Sequence, residues 1–416
     1  MREAVIVDAC RSPIGRAGDR GAYRAIGHID LMVPALKAIV ERNKLNPAMI
    51  DDVTMGSVAL QGIRLMLLVA GFPESVAGSD TTRQCASSTQ AIAIAAHCIT
   101  NDDADICIAA GLETMDRQGP VPPWQVGQRG AAQMGMFLRS TLTEEQKAAK
   151  YPEGWKTANS KLLPLLPPGM PLWIWDMGRT AEELSERYGI SRQDSDAFAL
   201  TSHQKAVAAQ DAGLFKSQII PITINYDDGT TEVIDKDQCP RRETSLERLA
   251  ALPPSYKENG LVTAGNSCPR SDGAGAVLLM SKEKAKQLGL KPMCTFRHSV
   301  AIGVDPTVMG IGPVPSTRKI LARTGMKIND FDIIEINEAF ACQVVYSVRQ
   351  LGINMAKLNP LGGAVAIGHP LGMTGTRQTA NIAHEMVRRN LRWGLATLCV
   401  GGGQGMATIF EREKYD

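Results

Sequence analysis

Strand-like and helix-like runs alternate in two separate regions of this 416-residue chain, one at each end, and that alternation constrains its fold most strongly. Near the start, Ala4–Ala9 reads as a short apolar strand and Asp30–Asn43 as a helix. Val53–Ala59 is then a strand, Gln84–Thr100 a helix and Ala104–Ala110 a strand. Near the end the succession returns: strand Lys291–Ile302, helix Pro315–Thr324, strand Asp332–Asn337, helix Gly372–Arg389, strand Trp393–Val400. Helices lying between strands argue for buried sheets, and the fold class is α/β.

The two regions share a layout. Asp51-Asp52-Val53-Thr54-Met55-Gly56 is arranged like Phe331-Asp332-Ile333-Ile334-Glu335-Ile336-Asn337. The helix after Cys85 and the strand ending at Gly111 match the helix after His369 and the strand ending at Cys399. A diverged internal repeat accounts for both. The middle differs. From Met115 to about Gly178 the chain is rich in Pro, Gly, Gln and Met, with an apolar island at Leu162–Trp175 that points to an ordered, packed insertion. Helices are expected at Thr180–Tyr188 and at Ser191–Gln210, the second with Ser191 as N-cap and Asp194 in its first turn.

Bulk properties exclude several classes. The length exceeds one ordinary hydrophobic core, so two or three domains are expected. With 44% hydrophobic and 21% charged residues and a net charge of +2, bulk electrostatics gives no reason to expect a nucleic-acid or membrane partner. The start runs directly into Ala4-Val5-Ile6-Val7-Asp8, without a secretory leader or a run long enough to insert in a membrane. Nine scattered cysteines lack Cys-x-x-Cys spacing, which fits a reducing, cytoplasmic setting and argues against a metal site. Glu413-Lys414-Tyr415-Asp416 carries no address of the Ser-Lys-Leu type.

Two of those thiols stand out. Cys85 follows Thr81-Thr82-Arg83-Gln84 and precedes a small-residue helix, so the helix end is expected to favour its thiolate. Cys399 closes an apolar strand and is followed by Val400-Gly401-Gly402-Gly403-Gln404-Gly405. That glycine run could be a dinucleotide loop, but Met406–Phe410 reads as a strand, and a phosphate cradle needs a helix there. Close backbone approach and N–H donors for an oxyanion are the better reading. Between the thiols lies Gly368-His369-Pro370, a histidine on a tight turn. Two thiols, a base and N–H donors suit chemistry on thioesters.

Further motifs complete the set: Arg11-Ser12-Pro13-Ile14-Gly15-Arg16, Asp176-Met177-Gly178, Thr180-Ala181-Glu182, Thr263-Ala264-Gly265-Asn266, Asp272-Gly273-Ala274, Asn337-Glu338-Ala339-Phe340 and Gly362-Gly363-Ala364. In their order and spacing these motifs, with those around Cys85, His369 and Cys399, resemble the thiolase family, the acetyl-CoA acyltransferases and acetyltransferases, over nearly the whole chain. The resemblance implies a five-layer α-β-α-β-α core from two duplicated halves with an inserted loop domain. The first half would be residues 1–115 with 265–281, the loop domain 116–264 and the second half 282–416. It implies thiolytic cleavage of 3-ketoacyl-CoA by CoA, or the acetyltransferase reaction that forms acetoacetyl-CoA. A non-catalytic acyl-CoA or lipid-binding member is the alternative of another class. A ketosynthase would carry a second-half histidine pair where this chain has His369 and Cys399.

Residue by residue, the resemblance makes Cys85 the nucleophile, His369 its base and a donor to the thioester oxygen, and Cys399 the acid/base. Asn337 would hold an ordered water in the oxyanion site, Gly401 would supply a backbone donor, and Glu338 would orient neighbours. Ser267, Cys268, Arg241 and Ala264 would contact CoA, a co-substrate rather than a resident cofactor. His28, His97, His203, His298 and His384 are expected to be structural or exposed. A homodimer or homotetramer is implied. There are departures. Cys268 and Pro269 stand where the family has Ser and Gly, and Leu361 where it often has a polar residue. The stretch Gly62–Arg64 is short before Leu65-Met66-Leu67-Leu68, a region that usually helps form the dimer. Asp176 replaces a His usual in acetoacetyl-specific members, so acyl chains longer than acetoacetyl are expected, their length set by the insertion between Met115 and Met177.

Overall fold

The computed structural model describes residues 2–115 and 176–413; the apolar island at 162–175 and most of the insertion lie outside them. In chain order the strands are β1 (Ala4–Arg11), β2 (Gly15–Arg16), β3 (Asp52–Gly56), β4 (Ala77–Thr81), β5 (Ile106–Glu113), β6 (Ile222–Asn225), β7 (Thr231–Ile234), β8 (Ser271–Ser281), β9 (Cys294–Gly303), β10 (Ile333–Ile336), β11 (Trp393–Val400) and β12 (Gln404–Glu411). The helices are α1 (His28–Glu41), α2 (Ile63–Val69), α3 (Ser87–Thr100), α4 (Met177–Tyr188), α5 (Arg192–Asp211), α6 (Leu246–Ala250), α7 (Lys282–Gln287), α8 (Pro313–Thr324), α9 (Ala341–Leu351), α10 (Ala364–Ile367) and α11 (Thr374–Arg389).

The main ladder runs β10-β11-β12-β9-β1-β8-β5-β3-β4. It is two sheets in one path, joined where β1 meets β9 through only Val5↔Thr295 and Ile6↔Cys294. In the first, β3 pairs parallel with β4 and β5, while β8 runs antiparallel to β5 and β1. In the second, β10 and β11 are parallel and β12 is antiparallel to β11 and β9. Three apolar layers separate the elements. One lies between the first sheet and α1 and α2, with Leu36, Ile39, Met55 and Leu278. Another fills the space between the sheets, where α3 and α11 supply Ile92, Ala96, Ile382 and Met386. The third packs the second sheet against α8 and α9, through Ile320, Val344 and Ile409. The result is the α-β-α-β-α order, with α3 and α11 as its middle layer.

That middle layer positions the site, because both Cys85 and His369 lie just before its helices. The helices cross tightly at Gly375, where a Cβ would collide with the Thr89 backbone. Ser88 Oγ accepts from the Thr376 N–H at 3.1 Å across the same crossing. Residues 176–264 pack with the main body. The buried Arg11 guanidinium holds them there with a bidentate pair to Asp237 (2.7 and 2.9 Å). Among the described residues no helix is long and apolar enough to cross a membrane.

Most elements fall where the alternation places them, with two informative exceptions. α3 begins at Ser87, not Gln84, so Cys85 precedes the helix. β8, buried along its whole length and central to the first sheet, is absent from the alternation read above, because Asp272, Gly273 and Gly275 interrupt the half that precedes its apolar run Ala276–Met280. Gly275 has a packing reason: a Cβ there would lie 2.6 Å from Thr376 Oγ1 on α11.

Candidate active site

The chain after β4 turns sharply to present Cys85. Gln84 takes a left-handed φ of 45°, which costs on the order of 1 kcal/mol in a non-glycine residue and must be held by its surroundings. Ser87 Oγ holds it, donating to Gln84 O at 2.6 Å and accepting from the Arg83 N–H at 3.0 Å. Arg83 in turn donates to Gln90 Oε1 at 2.8 Å and to Gln404 Oε1 at 3.2 Å. The second bond ties the Cys85 turn to the β11–β12 hairpin of the opposite half. Gly401 of that hairpin packs against the same turn, where a Cβ on it would lie 3.5 Å from Gln84 Cβ, and its N–H lowers the Cys85 pKa.

The thiolate expectation is corrected here. Burial pushes the Cys85 thiol up to about 11, against the lowering effect of the Gly401 N–H and of its own N–H. A helix macrodipole supplies about 0.3–1 kcal/mol, less than one pKa unit, and α3 starts two residues too late to deliver all of it. Desolvation wins. At rest Cys85 is a thiol.

The turn bearing His369 follows α10. Gly368 has φ 115°, and a Cβ there would meet Ser271 Oγ at 2.5 Å and Ile14 Cγ2 at 2.7 Å, so glycine is required on both counts. Ser271 Oγ accepts from the His369 N–H at 3.3 Å. The imidazole Nδ1 lies 2.7 Å from Thr374 Oγ1, which also donates to Pro370 O at 3.3 Å. With that hydroxyl proton on Pro370 O, Nδ1 carries the ring proton and Nε2 keeps the lone pair a base needs. Burial, then the charge of Arg377, lowers the His369 pKa to about 3, so the ring is neutral at any working pH.

Asn337 follows β10, beside the C-terminal part of β11, to which its N–H is bonded at Thr397 O (3.0 Å). Its Nδ2 lies 3.3 Å from His369 Nε2 and 3.4 Å from Nδ1. Glu338 is buried, not at the surface: it accepts from Ser202 Oγ (2.6 Å), Asn359 Nδ2 (2.7 Å) and the Val365 N–H (3.1 Å). It braces α5 and α10 and thereby the His369 turn.

Cys399 sits fully buried in β11, and residues 401–403 form the turn to β12. Gly402 and Gly403 have φ 78° and 81°, and a Cβ on Gly403 would lie 2.5 Å from Val304 O. The glycines are a hairpin, not a phosphate cradle. Burial, then the neighbouring Cys85 and Cys268, holds the Cys399 thiol well above its ordinary value. Burial, then Cys85, pushes Cys268 up to about 12. Cys85 thus raises both Cys268 and Cys399, and Cys268 raises Cys399, so ionising one thiol disfavours ionising the others.

The CoA candidates divide. Cys268 donates its N–H to Ala339 O at 3.1 Å, next to Asn337-Glu338. Ser267 is buried with its hydroxyl donating to Thr263 O at 2.6 Å, and Ala264 is exposed on the same turn. Arg241 stands apart: it is exposed, and its N–H donates to His203 Nδ1 at 3.1 Å. Because Cys268 is partly accessible beside Cys85, saturating CoA is expected to slow its alkylation severalfold, read by peptide mass spectrometry. Equal labelling with and without CoA would remove this segment from the site. Among the described residues no group of three or more His, Cys, Asp and Glu is placed to hold a metal ion.

Sequence reasoning missed the polar groups behind the site. Thr374 and Arg377 lie buried on α11, and Glu335 is buried on β10. The signals were present: a carboxylate within Ile333-Ile334-Glu335-Ile336, and a helix polar on nearly every side between two sheets.

The buried thiols of Cys85 and Cys399 and the neutral imidazole of His369, each held where a strand ends or a helix begins in an α/β body, suit an acyltransferase working on thioesters. The chain matches the thiolase N-terminal domain over residues 4–162 and 165–283 and the thiolase C-terminal domain over 290–412. It is 39% identical over 419 residues to the peroxisomal 3-ketoacyl-CoA thiolase B of Rattus norvegicus, covering 98% of this chain and 91% of the relative. It is 39% identical over 414 residues to the acetyl-CoA acetyltransferase of Allochromatium vinosum, 98% of each being covered. The crystal structure of human mitochondrial 3-ketoacyl-CoA thiolase in complex with CoA superposes with a TM-score of 0.80 at 31% identity, covering 99% of this chain and 98% of that one. The chain belongs to the thiolase family. It is an enzyme of the acyl-CoA acyltransferase and acetyltransferase type.

Proposed function

We propose that the enzyme cleaves 3-ketoacyl-CoA through an acyl group carried on Cys85. The observation that carries this reading is the Arg83 to Gln404 hydrogen bond at 3.2 Å, which joins the Cys85 turn to the hairpin that follows Cys399 in the opposite half. His369 takes the Cys85 proton as the sulfur attacks the C3 ketone, and the bond between C2 and C3 breaks. The Cys399 thiol protonates C2 of the departing enolate, giving acetyl-CoA and leaving a Cys399 thiolate. That thiolate accepts the proton of incoming CoA, whose sulfur displaces Cys85 from the acyl group. Cys85 recovers its proton from His369, and every group is restored. Asn337 and His369 face the thioester oxygen, with a water held by Asn337, and Gly401 serves as a further N–H donor to the developing oxyanion.

Ser267, Cys268, Ala264 and Arg241 complete the proposal as contacts to CoA, Cys268 with the most structural support. The enzyme uses CoA as co-substrate with no resident cofactor, and works as a cytoplasmic homodimer or homotetramer. Leu65, Leu68 and Val69, exposed on α2, support a subunit contact there. The division into halves 1–115 with 265–281 and 282–416, with a loop domain 116–264, is part of the same reading. Asp176 has a capping role, its Oδ1 accepting from the Gly178 and Arg179 N–H groups at 3.1 and 3.3 Å. It therefore says less about chain length than the sequence alone suggests. The reading is tested by kcat/KM for C4 to C16 3-ketoacyl-CoA with free CoA. Activity rising beyond C4 is expected; a profile that peaks at C4 and falls favours the acetyltransferase reaction, the activity named for the Allochromatium vinosum relative.

A further inference from the structure

We infer that Arg377 is a positioning residue: paired with Glu335, it fixes the Asn337 amide so that Nδ2, and not Oδ1, faces His369. The inference rests on the reading of Asn337 and His369 given above and adds to it the group that sets their geometry.

An asparagine amide has two ends of almost the same shape, one a donor and the other an acceptor. Either could face the imidazole. Only the donor end can support an oxyanion beside His369, so something must break the tie. Arg377 breaks it. Its Nη2 donates to Asn337 Oδ1 at 3.1 Å. A guanidinium has no acceptor, so it cannot accommodate the reversed amide, whose NH2 would meet an N–H.

The side chain is committed to this contact. Arg377 is fully buried in the middle layer, and among the described residues its Nε and Nη1 make no hydrogen bond. Nη1 instead faces Glu335 Oε2 at 3.5 Å, itself fully buried on β10. Asn381 Nδ2 donates to the other Glu335 oxygen at 3.3 Å. A lone buried cation is expensive, and a buried pair is weak evidence for stability, so packing alone gives little reason for this one. Its placement gives the reason. Glu335, Arg377, Asn337 and His369 form one line of contacts running from β10 through α11 to the imidazole. The cation behind the amide oxygen also polarises the amide, making its N–H the stronger donor.

The test is a mutant cycle read as kcat per intact site, sites being counted by the acyl group that Cys85 takes from a reactive acyl-CoA. Arg377→Lys keeps the charge but loses the planar fork. It is expected to lower kcat per site about tenfold, with KM changed less than about twofold, as a small misplacement of a reacting group does. Asn337→Ala alone is expected to lose about a hundredfold. The two together should match Asn337→Ala within about twofold, because a residue acting through Asn337 has nothing left to act on. A merely structural residue would lower the count of intact sites, or cost the same factor in both backgrounds. Wild-type kcat per site in Arg377→Lys, or a tenfold loss that persists without Asn337, overturns the proposal. Should Arg377→Lys not fold, the neutral pair Glu335→Gln with Arg377→Gln takes its place in the same cycle. Asn337→Ala at wild-type rate would sink the underlying reading of Asn337, and that single arm identifies it.

Discussion

Cys399→Ala is expected to take an acyl group onto Cys85 and then hold it. From a reactive acyl-CoA, whose CoA leaves as a thiolate and needs no proton at carbon, acylation requires the Cys85 sulfur, the His369 imidazole and an oxyanion site, all of which remain. Transfer to CoA needs a base for the CoA thiol, and the neighbouring described thiols replace Cys399 poorly: besides Cys85 itself they are Cys268 and Cys342, which burial pushes up to about 12. Loss of a general acid/base costs about 10²–10⁴ in rate, so turnover should fall by about a thousandfold while the acyl-enzyme accumulates. Stopped-flow turnover and intact-protein mass spectra report the two halves separately. Near wild-type turnover in Cys399→Ala would remove the acid/base assignment.

The second large effect is expected in His369→Ala, and pH gives it a signature. Burial raises the Cys85 thiol, so little thiolate is present at pH 7 and attack needs a base that takes the proton as the bond from sulfur to carbon forms. In the wild type, His369 is already neutral, because its pKa of about 3 lies far below the working range. Acylation should therefore be nearly independent of pH between 7 and 9. In His369→Ala the thiolate fraction, still below its pKa, sets the rate. Acylation should fall about 10³-fold at pH 7 and recover roughly tenfold per pH unit. An unchanged rate at pH 7, or a flat pH profile in the variant, would place the base elsewhere.

The elements legible in the sequence were those whose side chains alternate or repeat cleanly. β11 was read from Trp393 to Val400 without error, and the α11 and β12 regions to within two residues at each end. β8 was missed although Ala276–Met280 is an apolar run, because Gly273 and Gly275 break the pattern before it, Gly275 serving the close approach of α11. The candidate site was legible as a set of motifs, since Cys85, His369 and Asn337 each sit where a strand ends or a helix begins and Cys399 lies one residue before the end of β11. Their electrostatics was not. Where α3 begins, and how deeply its start is buried, decides whether Cys85 is a thiol or a thiolate, and neither follows from spacing. Arg377 and Glu335 escaped for a related reason: each reads as an ordinary charged residue until the fold buries both against Asn337.

Whether Cys85 carries the acyl group is read by quenching the enzyme after brief exposure to a reactive acyl-CoA and mapping the adduct by peptide mass spectrometry. One acyl group per chain is expected, on the peptide containing Cys85, with Cys268 and Cys399 unmodified, and it is expected to be released on addition of CoA. An adduct on Cys399 alone, or no adduct on an enzyme that turns over, would contradict the Cys85 assignment.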